Sequence, residues 1–400
     1  MNIAIISLYY KPIWPGYGTR LTQLYVDQAT NVGNNVTILT GRIPQEFKVE
    51  KKYRQKKFQE KIGKGLLEIH RLWGPNSKHE GLIKRTLIYS IFLFECYFKI
   101  LFSKKFDVII GMHPYPPFFI PIIFLSKFKR IKFVMEEADL WPDMLWELKI
   151  IKNRTFYNII SKFSIWSYKL SDLVLVITEE IKSGLDKYLS ESNIEVLPLA
   201  VDTRIFHPQE SSSELYDEKF VVMYSGILSP NYDFDIILNA AKMIHDPNIL
   251  FVISGMGELK NEIKKQILEK KLTNVKIEPP VETIDEVVTK LNRADVLILG
   301  MHNNIQAQTA HPSKLFEFMA CGKPIVCSCT GAPRRLLDSA KAGILVDPQN
   351  NESFSQAILS LYDSIEQRKI LGLNGRKFVE ENFSLNIFEN KLQKFLHKLF

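Results

Sequence analysis

Three side chains that could bind a nucleotide diphosphate lie close together in the sequence: Ser313, Lys314 and Glu317. Residues three and four positions apart on a helix share a face, so the hydroxyl, the ammonium and the carboxylate would point the same way. The first turn of a helix also offers free backbone N–H groups and the positive end of the dipole, which with a lysine favour a diphosphate. A carboxylate one turn further along could accept hydrogen bonds from both hydroxyls of a ribose. A capped amphipathic helix without any ligand would show the same three residues, so local chemistry leaves both interpretations open.

The flanking residues predict where this helix begins and ends. Pro312 and Ser313 are residue types that favour a helix start, and Gly322 followed by Lys323 and Pro324 predicts its end. An apolar, strand-like run over 325–328 follows at once. The segment therefore predicts a short helix leading directly into a buried strand.

Two stretches carry a resemblance to a known family. The pattern Pro-Ser-Lys-x-x-Glu-Phe-Met-Ala-x-Gly-Lys-Pro over 312–324 resembles the donor-site helix of the retaining, GT-B-fold glycosyltransferase family 4. The strand ending in Asp-Leu-Trp-Pro over 139–142 is similar to a signature of its WbuB-like and CapM-like branch, which builds bacterial surface polysaccharides. Other family members carry a histidine there, facing the sugar and the acceptor. The resemblance covers nearly the whole chain and is most specific in these two stretches.

The resemblance implies an α/β chain of the GT-B class, with two Rossmann-like, doubly wound domains facing each other across a cleft. Residues 1–205 would form the acceptor-binding domain and residues 206–385 the nucleotide-sugar-binding domain. A helix over 386–400 would cross back to the first domain. A polar stretch over 209–214 is typical of an interdomain linker.

The resemblance also assigns roles to individual residues. Asp139 and Lys314 would be catalytic: Asp139 would accept a proton or a hydrogen bond from the acceptor hydroxyl, and Lys314 would neutralise the diphosphate. An Asp139 that only caps the turn before Pro142 is the alternative. The donor would also contact a set of small and polar residues, namely Gly16, Gly18, Gly226, Gly257, Ser313 and Glu317. We expect neither a metal nor another cofactor, with the nucleotide-sugar as co-substrate.

The order of elements supports a doubly wound fold independently. An apolar run over 3–8 precedes the glycine loop with Gly16 and Gly18, then a helical pattern and a second apolar run over 36–40. A similar series begins at 220–226 and includes a Gly-x-Gly at 255 and 257, where backbone could approach a nucleotide. The stretch over 46–62, rich in Lys, Glu and Gln, predicts a solvated excursion.

The segment over 82–105 has a wide apolar face and a basic rim. Its apolar run is too short to span a bilayer, and Glu95 and Lys99 interrupt it. A helix lying in a membrane interface fits this composition, and Lys104 and Lys105 favour it. A helix buried between two layers of the domain is the alternative.

Composition limits the remaining possibilities. A length of 400 residues predicts two domains, and 46% hydrophobic residues exclude wholesale disorder. The formal charge of +8 fits anionic partners, but the lysines are scattered, which argues against nucleic acid. Four cysteines without a paired zinc motif, and a first apolar run without a basic region before it, predict a cytoplasmic protein. We expect it to associate peripherally with the inner face of the cell membrane.

Three positions depart from the family pattern. The first of the family's two glutamates is replaced by Thr309. The Arg and Lys that many members carry after the glycine matching Gly226 are absent, since no basic residue occurs before Lys242. Leu199-Ala200 stands where the family has Asn-Gly. Lys314 would then carry more of the phosphate charge.

The function predicted from these features is a retaining transfer of a sugar from a UDP-sugar to a polyprenyl-diphosphate-linked acceptor, in O-antigen, capsule or exopolysaccharide synthesis. An N-acetylhexosamine is the sugar we expect. Two alternatives stay open: a nucleotide-sugar 2-epimerase with the same architecture, and a non-catalytic partner subunit.

Overall fold

The computed structural model of this chain describes residues 1–11, 17–43, 50–74, 82–103, 106–112, 115–147, 149–186, 188–189, 193–210, 216, 219–281 and 283–400. It divides into two compact units. Unit 1 comprises Met1–Pro198 together with Phe388–Phe400, and unit 2 comprises Leu199–Ile387. Each unit has its own sheet and its own buried core.

Unit 1 is built on an eight-stranded sheet in the order β3-β4-β2-β1-β5-β6-β7-β8. Its strands are β1 (Asn2–Ile6), β2 (Asn35–Gly41), β3 (Lys57–Ile62), β4 (Gly65–Leu72), β5 (Val108–Met112), β6 (Lys132–Glu137), β7 (Leu173–Val176) and β8 (Ile194–Val196). All neighbouring pairs are parallel except β3 with β4. The central strands are buried on both faces, as expected for apolar runs in a parallel sheet.

The helices of unit 1 are α1 (Tyr17–Asn31), α2 (Leu82–Phe102), α3 (Ile120–Lys129), α4 (Asp143–Glu147), α5 (Arg154–Leu170) and α6 (Glu179–Asp186). Short 3-10 turns occur at Lys51–Arg54 and Pro116–Phe119. The connections through α2, α3 and α5 all advance in the same direction across the sheet, so right-handed crossovers place these helices on one face. Contacts of α3 with both α2 and α5 agree with that placement.

The hairpin of β3 and β4 corrects one prediction from the sequence. Residues 57–62 form an edge strand that pairs antiparallel with β4, rather than an excursion without regular structure, and residues 46–49 lie outside the described part. Exposed and half-buried residues alternate along β3, so Lys57, Gln59 and Lys61 remain in solvent, whereas Glu60 is half-buried. The high charge that suggested a loop is the usual feature of an edge strand that does not aggregate.

Helix α2 lies over the sheet by one face and is open on another. Its buried residues include Phe92, Cys96 and Ile100, whereas Leu87, Phe94, Phe98 and Phe102 are exposed. Within the described ranges, no helix combines the length and the apolar character needed to cross a bilayer. Helix α2 therefore has a buried face, as a helix packed inside the domain requires, and an exposed apolar face, as a helix in a membrane interface requires.

Unit 2 contains a second parallel sheet, in the order β11-β10-β9-β12-β13-β14. Its strands are β9 (Phe220–Ser225), β10 (Ile249–Ser254), β11 (Val275–Glu278), β12 (Val296–Gly300), β13 (Ile325–Ser328) and β14 (Gly343–Val346). Its helices are α7 (Phe234–Met243), α8 (Lys260–Glu269), α9 (Ile284–Asn292), α10 (Ile305–Thr309), α11 (Ser313–Ala320), α12 (Gly331–Ala340), α13 (Asn351–Asp363) and α14 (Ile365–Asn382). The two sheets confirm the predicted class of two Rossmann-like, doubly wound units.

The last helix, α15 (Leu385–His397), begins at the end of unit 2, and its residues from Phe388 onward belong to unit 1. The ring of Phe388 meets that of Tyr25 edge to face, with centroids 5.3 Å apart. Lys398 forms an ion pair with Glu195, 2.5 Å between Nζ and Oε1.

Residues 199–209 belong to unit 2, where a half-buried arginine holds them. The Arg376 guanidinium donates to the carbonyl oxygens of Thr203 (3.0 Å), Phe206 (2.6 Å) and Ala320 (2.7 Å). The main-chain N–H of Gln209 donates to Oδ1 of Asn292, 2.9 Å. The units thus divide in the sequence at Pro198, before the polar stretch over 209–214.

We expect Arg376→Met to destabilise unit 2, because three carbonyl groups lose a charged donor. A loss of about 2–4 kcal/mol follows if each hydrogen bond to a charged group contributes about 1.5–3 kcal/mol without full additivity. Urea denaturation followed by circular dichroism would measure it. The neighbouring exposed Lys377→Met is the matched control, and equal midpoints for both variants would contradict the role given to Arg376.

Candidate donor site

The predicted helix forms as α11, and its two ends match the residues that specify them. Pro312 occupies the position before the first helical residue, and its side chain has no group that could form a capping hydrogen bond. Ser313 lies in the first turn of the helix. Gly322 has φ +66, and its N–H donates to the carbonyl of Met319, 2.9 Å. A glycine is favoured there because this left-handed conformation is strained for other residues.

Lys314 is a buried lysine in the first turn of α11. Its side chain is buried, the residue being 8% exposed, and the ammonium donates to the hydroxyl of Tyr224, 2.7 Å. The ammonium also lies over two aromatic rings, 3.7 Å from the centroid of Tyr232 and 4.2 Å from that of Tyr224. A buried cation is costly unless such neighbours compensate it, and aromatic faces and a neutral hydroxyl do so without cancelling its charge.

The Tyr224 hydroxyl relays this contact to the backbone. It donates in turn to the carbonyl of Ile227, 2.6 Å, in the loop after β9. Burial raises the pKa of Tyr224 well above its ordinary value. Burial, with a smaller contribution from the Glu317 carboxylate, raises the pKa of Tyr232 to about 12. Both phenols are therefore neutral near Lys314.

Gly226 makes room for the lysine. A Cβ at this position would lie 2.6 Å from Nζ of Lys314, so any side chain would displace the ammonium. Gly226 also has φ +149, which other residues rarely adopt. The end of β9 and the start of α11 are therefore adjacent, at Gly226 and Lys314. The sequence analysis had assigned both residues to one donor site.

Gly255 and Gly257 let two loops run side by side. A Cβ on Gly255 would lie 1.8 Å from the carbonyl oxygen of Gly226, and one on Gly257 would lie 2.1 Å from that of Leu228. The N–H of Gly226 donates to the carbonyl of Ser254, 2.9 Å, and that of Leu228 to Met256, 2.8 Å. The glycines are needed for backbone-to-backbone packing beside Lys314.

An ion pair supports the start of this loop. Lys290 lies 3.0 Å from the Glu278 carboxylate and donates to Oγ of Ser254, 2.9 Å. Burial alone would raise the pKa of Glu278, but hydrogen bonds and charges from Lys290 and Lys276 outweigh it, so the pKa is lowered. The pair fixes the ends of β10 and β11 next to Gly255.

Glu317 lies one turn after Lys314 on α11 and is 9% exposed. Its charge reaches Tyr232, as the pKa of that phenol shows. Ser313 is half-buried, and Gly257 is exposed. Thr309, at the position of the missing glutamate, is buried and donates its hydroxyl to the carbonyl of Ile305, 2.8 Å, which completes the last turn of α10.

The remaining predicted residues lie in unit 1. Gly18 is in the first turn of α1, while Gly16 lies outside the described residues. Asp139 is half-buried just after β6, and its carbonyl accepts from the N–H of Trp141, 3.0 Å.

Two buried acids before Asp139 were not singled out from the sequence. Glu136 and Glu137 end the apolar strand β6, where charged residues are unexpected, and that position was the available signal. Burial raises the pKa of Glu137 well above its ordinary value, against opposing hydrogen bonds from the Tyr168 hydroxyl (2.6 Å) and from the Asp139 main chain.

The described residues contain no cluster of three or more His, Cys, Asp or Glu side chains that could hold a metal ion. The expectation that no metal is needed stays a prediction.

Part of the chain that includes this site matches a known protein family. Residues 207–378, which include Gly226, Gly257 and α11, match the model of the glycosyl transferases group 1. The matched range is 172 of the 400 residues, which is less than half of the chain. The match agrees with the predicted glycosyltransferase, and the predicted GT-B fold is confirmed, whereas the narrower WbuB-like and CapM-like branch is not.

Curated relatives are distant. An uncharacterized glycosyltransferase of Methanocaldococcus jannaschii is 25% identical over 228 residues, 57% of this chain and 58% of the relative. The putative colanic acid biosynthesis glycosyl transferase WcaI of Escherichia coli is 22% identical over 339 residues, 80% of this chain and 82% of that protein. The chain spans about half the length of several other curated relatives that it matches.

Solved structures show the same fold over the whole chain. Sucrose-phosphate synthase of Thermosynechococcus elongatus has a TM-score of 0.78 at 15% identity, covering 100% of this chain and 98% of that one. HepE of Anabaena, solved in complex with UDP-glucose, has a TM-score of 0.71 at 13% identity, covering 99% of both chains.

We expect the stability of this glycosyltransferase to fall as pH rises above the ordinary glutamate pKa of 4.5, because folded Glu137 resists ionisation. The contribution of Glu137 to the free energy of unfolding is fully present below pH 4.5, and it is lost as the pH rises to the raised pKa of the folded state. Glu137→Gln should remove this dependence and stabilise the protein at pH 8 relative to wild type.

Thermal unfolding between pH 5 and 8 would measure the effect, with the exposed Glu147→Gln as the control. A constant difference between Glu137→Gln and wild type across this range would contradict the raised pKa.

Proposed function

We propose that this protein transfers a sugar from a UDP-sugar to a lipid-linked saccharide acceptor with retention of configuration. The observation that carries the proposal is the buried Lys314 ammonium, held by Tyr224 and Tyr232 against Gly226 at the start of α11. A buried lysine in the first turn of a helix suits a diphosphate, because the positive end of the helix dipole adds to the charge of the ammonium. Glu317, one turn further along, suits the ribose hydroxyls.

The donor assignment has support from the relatives as well as from the site. HepE was solved with UDP-glucose, and WcaI is described as a colanic acid biosynthesis enzyme. We extend both to this chain: UDP as the nucleotide, and polysaccharide synthesis as the process, with O-antigen or capsule as its product and an N-acetylhexosamine as the expected sugar. A relative from Candida albicans, 21% identical, is named a chitobiosyldiphosphodolichol beta-mannosyltransferase, which supports an acceptor on a polyprenyl diphosphate.

The proposed reaction needs no enzyme nucleophile. The bond between the anomeric carbon and the β-phosphate oxygen breaks, and the acceptor oxygen bonds to that carbon on the same face. The acceptor proton passes to the departing phosphate, whose growing negative charge Lys314 and the amides of α11 stabilise. Asp139 is proposed to position the acceptor hydroxyl. Glu137 is less suited to a charged role because burial raises its pKa.

We expect isothermal titration with UDP, GDP, ADP and dTDP to show selective binding of UDP. Lys314→Met and Glu317→Gln should each weaken it about tenfold or more, since each removes a charged hydrogen bond worth about 1.5–3 kcal/mol. Lys369→Met and Glu366→Gln, both exposed on α14, make the same chemical changes away from the site and should bind as wild type. Wild-type affinity and rate in Lys314→Met would refute its assignment.

Two variants of Tyr232 distinguish the contribution of its hydroxyl from that of its aromatic ring to the position of Lys314. Tyr232→Phe keeps the ring beneath the ammonium and should retain UDP affinity within about threefold, whereas Tyr232→Leu removes the aromatic face and should weaken it further. Equal effects of both variants would show that the ring does not orient Lys314. Absence of binding to all four nucleotides in wild type would favour the non-catalytic subunit instead.

We also propose that unit 1 docks peripherally on the inner face of the cell membrane, through the face carrying α2, α3 and α5. Exposed apolar side chains recur on all three helices: Leu87, Phe94, Phe98, Phe102, Phe124, Phe128, Phe156, Ile159, Phe163 and Trp166. Phe124 and Trp166 touch across α3 and α5, with ring centroids 5.7 Å apart. Lysines at 127, 162 and 169 lie on the same helices, which suits anionic lipid.

We expect the protein to cosediment with vesicles containing phosphatidylglycerol and less with phosphatidylcholine alone. Phe128→Asn combined with Phe163→Asn should reduce the bound fraction severalfold, because two exposed rings no longer enter the interface. Ile365→Asn with Leu373→Asn, equally exposed on α14 of unit 2, is the matched control. Equal losses in both double variants, or no binding by wild type, would contradict this surface.

A further inference from the structure

A long groove in unit 1 lies outside the donor site. It has a volume of about 1300 Å³, above the ~300–1,000 Å³ of common small-molecule pockets. Strands β2 and β4 form its floor and α2 forms one wall. The crossover through α2 leads from the end of β4 to the start of β5, so this helix runs antiparallel to the strands, and the groove follows both.

The wall formed by α2 is aromatic along its length. Phe94, Phe98 and Phe102 line the groove at intervals of one helical turn, and Phe106 continues the series beyond the helix. Phe94 and Phe98 meet edge to face at 4.8 Å, and Phe98 and Phe102 stack at 6.3 Å. Phe102 is 81% exposed. These rings form a continuous apolar strip that leaves considerable surface to solvent, which is unfavourable unless a partner covers it.

Four of the five lysines and arginines that line the groove are gathered at one end, whereas the fifth, Lys99, lies on α2 between Phe98 and Phe102. Arg42 follows β2, Arg71 is next to the last residue of β4, and Lys56 and Lys57 lie at the start of β3, which pairs with that end of β4. Arg71 already donates to the carbonyls of three residues, Lys11, Gly41 and Tyr53. Arg42 and Lys56 are exposed and can meet a ligand.

The acidic residues of the groove do not cancel this charge. Glu68 is engaged by Lys57 (3.0 Å) and by His70, and the second acid, Glu95, accepts from the N–H of Trp73, 2.7 Å. Hydrogen bonds from these neighbours outweigh burial and lower the pKa of Glu68 to about 2. Arg42 and Lys56 therefore keep a positive field at the carboxyl ends of β2 and β4.

We propose that this groove binds an amphiphile with an anionic head and an apolar chain, its head at Arg42 and Lys56 and its chain along the phenylalanines of α2. The inference rests on the proposed function, because a lipid-linked phosphorylated acceptor is a molecule of this class. It assigns that substrate a chain-binding subsite on the sheet face beneath α2. The groove opens on the face proposed to meet the membrane, from which a chain could enter.

Equilibrium dialysis with radiolabelled farnesyl phosphate, below its micelle concentration, tests the proposal. Farnesol and inorganic phosphate serve as probes of the chain and of the charge alone. We expect farnesyl phosphate to bind at least about tenfold more tightly than either, since head and chain are both recognised. Equal affinity for farnesol would overturn the role of the cations, and equal affinity for inorganic phosphate would overturn that of the aromatic wall.

Two pairs of variants localise the binding. Phe102→Asn, and Arg42→Gln with Lys56→Gln, should each lower the affinity about fivefold or more. Phe128→Asn removes an equally exposed phenylalanine (85%) that does not line the groove, and Lys127→Gln removes an exposed lysine next to it. Both controls should bind farnesyl phosphate as wild type. Unchanged affinity in the groove variants, or equal losses in the controls, would overturn the proposal.

UDP titration of every variant separates this proposal from the function on which it rests. Normal UDP binding with no specific farnesyl phosphate binding would reject the groove and leave the donor site standing. Specific farnesyl phosphate binding without UDP binding would support the groove and reject the donor assignment. If wild type proves to be a dimer that Phe102→Asn dissociates, and farnesyl phosphate does not bind, a second copy covers the aromatic wall and the proposal is wrong.

Discussion

The structure of unit 2 depends on keeping one ammonium charged in a nearly dry place. The Tyr224 hydroxyl accepts a hydrogen bond from the buried Lys314 ammonium, and the rings of Tyr224 and Tyr232 lie against it. The raised pKa of both tyrosines keeps the phenols neutral. The neutral hydroxyl and the aromatic faces offset part of the cost of burying the ammonium.

That requirement extends into the backbone around Lys314. Gly226 has no side chain because the ammonium occupies the space of its Cβ, and Gly255 has none because it lies against the carbonyl of Gly226. The ion pair of Lys290 with Glu278 then holds the strand ends from which these loops leave. The Lys314 ammonium thus requires a glycine at 226, and the Gly226 carbonyl requires a glycine at 255. The Lys290–Glu278 ion pair holds the strand ends next to them. Since this bridge is far from solvent, its value lies in fixing one geometry more than in net stability.

The sequence predicted the parts of this arrangement whose signals are local. The ends of α11, the alternation of strands and helices, and the pairing of Lys314 with Gly226 all follow from residue types at fixed spacing and from a family resemblance. Tyr224 and Tyr232 were not foreseen, because an aromatic residue at a strand end or in a loop has many ordinary uses. Their role depends on which side chain from α11, some ninety positions away, comes to rest upon them. The edge strand β3 was missed for a different reason: charged residues mark both loops and protected sheet edges.

The segment around α2 shows why a composition can support two interpretations at once. An amphipathic helix is expected to bury one apolar stripe, but α2 buries Phe92 and Cys96 while exposing Phe94, Phe98 and Phe102. It is apolar on nearly all sides, which a helix on the surface of a sheet does not need for folding alone. The buried stripe accounts for its place in the fold, and only the exposed rings require a partner. Because those rings line the groove that ends at Arg42 and Lys56, charge and shape favour an amphiphile over a purely apolar partner.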